Sequence, residues 1–105
     1  MFGLFNRSAS ISADQLKVDK NSQTKIIDVR MPGEYRSGHI PGAKNVPLTR
    51  IEGYTGNKDE KVYVICQSGM RSKQAASILK KKGYDVVNIR GGMARWNGPV
   101  RGGKQ

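Results

Sequence analysis

One cysteine, Cys66, opens the stretch Cys66-Gln67-Ser68-Gly69-Met70-Arg71, and these six residues hold the best-placed chemistry in the chain. The apolar run Val62-Tyr63-Val64-Ile65 precedes them and the helix-forming segment Ser72 to Lys82 follows. The thiol is thus expected at the tip of a strand, facing the start of a helix. A helix start offers unpaired N–H groups and the positive end of the backbone dipole, worth about half a charge. Such a setting favours thiolate over thiol and accepts anions. Gly69 allows a tight curl, so that the amides of Gln67 to Ser72 converge on the sulfur, with Arg71 and Lys73 nearby in sequence. A lone cysteine is commonly a small buried hydrophobe. The Gly69-Met70-Arg71-Ser72 corner favours a nucleophile instead.

The elements around this loop alternate. Ser12 reads as the N-cap of a helix with Gln15 at its third position, and Lys25 to Val29 as a buried strand. Pro32 to Arg36 reads as a helical turn, Gly38 to Gly42 as a loop, Ala43 to Val46 as a short strand and Pro47 to Ile51 as a brief helix. Gly53 to Glu60 is polar and turn-rich. Val62 to Ile65 suits a parallel sheet covered on both faces. The next helix carries Ala75, Ala76 and Leu79 on one face and ends in Lys80-Lys81-Lys82 with Gly83 at C′. Val86 to Ile89 is a further strand, Gly91-Gly92 ends it, and Met93 to Asn97 form a last turn with Trp96 packed inward. The expected fold is α/β, with a central, mainly parallel sheet of about five strands and helices on both faces. Residues 1–10 are expected as a flexible arm, 11–97 as the domain, and 98–105 as a frayed basic tail. Ligands of such sheets sit at the carboxyl ends of the strands, where Asp28 and Cys66 share a rim.

The 105 residues suit one domain with a modest core. No run is long enough to span a membrane, and the apolar start lacks the basic region of a secretory signal, so no membrane association is expected. A lone cysteine forms no internal disulfide, which suits the cytoplasm. The net charge of +11, from 19 Lys and Arg against 8 Asp and Glu, attracts anions. Nucleic acid is not the expected partner: there is no zinc-ligand spacing, no basic run longer than Lys80 to Lys82 and no aromatic ladder among basic residues. Most of these charges read as a solvated surface.

Cys66-Gln67-Ser68-Gly69-Met70-Arg71-Ser72 resembles the active-site loop of rhodanese-like sulfurtransferases. The likeness extends to Ile27-Asp28-Val29-Arg30, Glu34-Tyr35, Gly38-His39-Ile40-Pro41-Gly42-Ala43, Asn45-Val46-Pro47, Gly83-Tyr84, Val87 and Gly91-Gly92-Met93 through Trp96. The resemblance implies a single-domain enzyme of the thiosulfate sulfurtransferase type, with no cofactor and no metal. Cys66 would take the outer sulfur of a small anionic donor (thiosulfate, glutathione persulfide or a desulfurase persulfide) and hand it as a persulfide to cyanide, a thiol or a protein acceptor. Gln67, Ser68, Gly69, Met70, Arg71 and Ser72 would bind the donor. No second cysteine is present to take sulfur from Cys66 within the monomer. Phosphatases and arsenate reductases of this fold carry a loop one residue longer, whereas four residues separate Cys66 from Arg71, so the smaller ring suits sulfur. Asp28 and Arg30 are expected to bond to each other or to neighbouring loops and support the rim. His39 is expected as a loop-bonding residue, Glu34 and Tyr35 as capping and packing residues, and Arg36, Arg50 and Lys73 as contributors to the positive field. From another class, a non-catalytic module docking an acidic protein partner is the alternative.

Overall fold

A computed structural model describes residues 9–103. Five strands, β1 (Ala9–Ser12), β2 (Lys25–Asp28), β3 (Lys44–Asn45), β4 (Val62–Ile65) and β5 (Val86–Arg90), form one sheet in the order β1-β5-β4-β2-β3. All neighbouring pairs are parallel. The helices are α1 (Ala13–Asp19), α2 (Pro32–Ser37), α3 (Met70–Lys81) and α4 (Gly92–Arg95), with a 3-10 helix at Leu48–Gly53.

Side chains alternate across the strands and build a core on each face. Ile27, Val62 and Val64 pack against Ala75, Ala76 and Leu79 of α3 and Ile51 of the 3-10 helix. Ile26, Ile65 and Ile89 pack on the other face with Leu16 of α1 and Tyr35 of α2, and Trp96 is half-buried against them. The α/β architecture is therefore the expected one. Ser12 caps α1 through Gln15 N–H at 3.0 Å. At the far end of α3, Gly83 N–H donates to the Lys80 carbonyl and Tyr84 N–H to that of Leu79, both at 3.0 Å, the paired bonds of a Schellman closure.

Three local expectations differ from the structure. Ala9 and Ser10 belong to β1, in register with Val87 and Asn88, so the expected arm is part of an edge strand; its residues 1–8 lie outside the described residues. The Ala-Ser-Ile-Ser sequence is poor in strand formers, and β5 supplies the template. Residues 98–103 of the expected frayed tail are anchored: Arg101 and His39 exchange backbone hydrogen bonds of 2.8 and 3.0 Å, and Gly103 N–H donates to the Arg36 carbonyl at 2.8 Å. Helix α3 begins at Met70, two residues before the expected Ser72, because Gly69 takes a left-handed conformation (φ 104°) at its N-cap and turns the chain directly into the helix. Among the described residues no helix is long and apolar enough to cross a membrane.

Candidate active site

Parallel pairing of β2 with β4 sets Asp28 beside Ile65, so Arg30 and Cys66 leave the sheet on one rim. Cys66 is fully buried, on the α3 side among Val64 and Ala76. Its Sγ is nevertheless not in a hydrocarbon setting, for Gly69 N–H donates to it at 3.0 Å. Burial pushes the thiol up, but hydrogen bonding from the Ser72 hydroxyl and the Ser72, Gly69 and Ser68 N–H groups outweighs it and leaves Cys66 below an ordinary thiol. Ser68, Gly69 and Ser72, which bound this cradle, are three of the six loop residues the sequence singled out beside Cys66. The Gly69 carbonyl, 3.1 Å from the Ser72 hydroxyl, is the alternative acceptor for the same hydrogen.

The amides point inward because the carbonyls are held outward. Met93 N–H donates to the Cys66 carbonyl at 2.8 Å and Ala94 N–H to the Gln67 carbonyl at 2.9 Å. In a trans peptide the C=O and N–H are opposed, so fixing these two carbonyls on α4 aims the Gln67 and Ser68 N–H groups the other way. Gly92 makes the approach possible: a Cβ there would overlap the Cys66 carbonyl oxygen and lie 2.8 Å from the Gln67 carbonyl group. This seat on α4 is absent from the sequence reading, where Gly91-Gly92 only ends a strand.

Asp28 and Arg30 form a buried, bidentate pair, with Nε and Nη2 of Arg30 at 3.0 and 2.8 Å from the carboxylate. Arg30 Nη2 also donates to the Gly38 carbonyl at 2.7 Å and Nη1 to Gln67 Oε1 at 3.3 Å. Asn45 donates to the Asp28 and Arg30 carbonyls, each at 2.9 Å. The end of β2 is thereby tied to the loop through Gln67. His39 is buried and bonded through Nδ1 to the Tyr35 carbonyl, as a loop-bonding residue should be, and it also stacks on the Tyr35 ring at 3.7 Å.

Arg71 is paired with a carboxylate, within electrostatic reach of the sulfur. Its Nη1 and Nη2 lie 2.7 and 2.9 Å from the two carboxylate oxygens of Glu34 on α2. The guanidinium holds the Glu34 carboxyl down at about 2, with the Met31 N–H assisting and burial opposing. Glu34 in turn raises Arg71. Capping by Glu34 is seen, since it accepts the Met31 N–H at 3.0 Å; the ion pair is additional to the expectation. Met70 is exposed at the start of α3, so its side chain lies outside the cradle.

A strand-tip cysteine ringed by amides, on a five-stranded parallel sheet, defines a class, and comparison with known proteins agrees. The chain belongs to the rhodanese-like domain family, whose model matches residues 12–99. It is 40% identical over 92 residues to YrkF of Bacillus subtilis, described as a candidate sulfur carrier protein, covering 85% of this chain and 50% of YrkF. It therefore spans half the length of that relative. It is 33% identical over 87 residues to the thiosulfate sulfurtransferase GlpE of Pseudoalteromonas translucida, covering 80% of this chain and 83% of GlpE. The crystal structure of a rhodanese-like domain protein from Staphylococcus aureus superposes with a TM-score of 0.84 at 34% identity, covering 90% of this chain and 98% of that one.

Proposed function

We propose that the protein is a sulfurtransferase that moves a sulfane sulfur from thiosulfate or a persulfide donor to a thiol or cyanide through a persulfide on Cys66, working in the reducing cytoplasm. The observation that carries this reading is the amide ring around Sγ, which lowers the thiol and so raises its thiolate fraction. Thiolate attack on the outer sulfur of thiosulfate forms the Sγ–S bond, breaks the donor S–S bond and sends the electron pair away on sulfite. The amides of Ser68, Gly69 and Ser72, which bond to Sγ in the free protein, are the donors at hand for the terminal persulfide anion. Attack on that sulfur by an acceptor thiolate breaks the Sγ–S bond and returns Cys66. Asp28, Arg30 and Asn45 brace the ring from the ends of β2 and β3, and Gly92, Met93 and Ala94 brace it from α4.

The test is intact mass after thiosulfate treatment. Reduced protein should gain one sulfur atom, Cys66→Ser none, and cyanide should remove it as thiocyanate. Unchanged mass with Cys66 reduced, after treatment with thiosulfate and with a small-molecule persulfide, refutes the reading. The Cys66→Ser protein that still captures an acidic partner, in the absence of any sulfur transfer by the parent, would favour the docking module.

A further inference from the structure

We infer that Glu34 sets donor choice: by holding the guanidinium of Arg71 it disfavours a small dianion and leaves the cradle to a donor whose sulfane sulfur is carried on an organic thiol. The inference deepens the sulfur-transfer reading above and rests on it. Both terminal nitrogens of Arg71 are committed to one carboxylate, at 2.7 and 2.9 Å, in the strong bidentate geometry. Seen from Cys66, the pair carries no net charge. The residues flanking it are apolar and open: Met31, whose N–H Glu34 accepts, is 53% exposed, and Met70, the chain neighbour of Arg71, is 72% exposed.

A thiosulfate dianion has to draw Arg71 from Glu34 or sit beside a carboxylate. A thiol-borne persulfide needs neither. Its carbon chain suits the thioether side chains of Met31 and Met70, soft and adaptable surfaces. Only its outer sulfur enters the ring, where the amides hold a single sulfur anion once the persulfide formed on Cys66 has lost its proton. In that step Cys66 thiolate attacks the outer sulfur of R–S–SH. The Sγ–S bond forms, the donor S–S bond breaks, the electron pair leaves on R–S⁻, and the proton stays with the transferred sulfur. No oxidant or reductant is consumed.

The experiment compares Glu34→Gln with the parent protein, using thiosulfate and mercaptoethanol persulfide, whose carrier is uncharged. Gln keeps a carbonyl oxygen for the Met31 N–H. The ratio of kcat/KM for thiosulfate to that for the persulfide should rise ~5-fold in Glu34→Gln, as expected from removing one nearby negative charge opposite a dianion. The gain should appear in the thiosulfate KM and shrink in high salt. An unchanged ratio, or a weaker use of thiosulfate, overturns the inference and makes Glu34 a support for Arg71 instead. Failure of the parent protein to accept sulfur from either donor is a different result: it removes the sulfur-transfer reading itself, and the inference with it.

Discussion

Gly92 is seated on the carbonyl of Cys66, so closely that no side chain fits between α4 and the loop. Its φ of 56° lies in the left-handed region, where a Cβ is strained as well as obstructed. Gly92→Ala is expected to cost about 2 kcal/mol or more, lowering Tm by roughly 8 °C or more for a domain of this size. It should also slow sulfur loading, because the Cys66 and Gln67 carbonyls lose their anchor. A melting curve that matches the parent would show that the seat has no mechanical role.

The depressed Cys66 thiol makes stability depend on pH. Between its folded value and the unfolded value of about 8.5, the native state binds fewer protons than the unfolded state, so stability rises with pH. The gain is complete above the unfolded value and is lost as pH falls through the folded one. The Tm advantage of the parent over Cys66→Ser should therefore be larger at alkaline pH than in mild acid. Alkylation of Cys66 should likewise reach half its maximal rate below the pH of a free thiol. The opposite trend in both measurements would refute the thiolate cradle.

Asp28 and Arg30 are almost wholly shielded from water, so removing one partner strands the other charge. Asp28→Asn should cost about 3–5 kcal/mol, read as a fall in the urea midpoint. Sulfur loading should fall too, since Arg30 is the side-chain tether of Gln67. A neutral result would mean that Arg30 finds another partner.

Asn88 is a polar residue inside β5, facing the same layer as Val64, and its Oδ1 is buried without a hydrogen-bond partner among the described residues. A valine there removes the unpaired oxygen and adds a strand-forming side chain. Asn88→Val should stabilise the domain by about 1 kcal/mol, checked by chemical denaturation. A loss of stability would reveal that the amide has a partner in solution.

Much of this architecture was legible because central parallel strands are continuous apolar runs and α3 has a clean Ala75, Ala76, Leu79 face. The strand-to-helix corner at Cys66 followed from the same signals, and the cradle from the glycine within it. What escaped depends on contacts distant in sequence. Glu34 and Arg71 are 37 residues apart, and only the folded topology brings α2 to the start of α3. Strand β1 has little apolar character of its own and exists through pairing with β5. The tail looked free by its Gly, Pro and basic residues, yet Arg101 pairs with the buried His39. Gly91-Gly92 signalled a break in the chain without revealing the carbonyls it serves.

The depth of Cys66 has a bearing on traffic between molecules. With its thiol sunk beneath the surface, Cys66 offers no exposed sulfur for a disulfide between two copies. On the proposed sulfur-transfer reading, delivery falls to acceptors slender enough to reach that depth, which makes access, as much as reactivity, the sorting principle of the site.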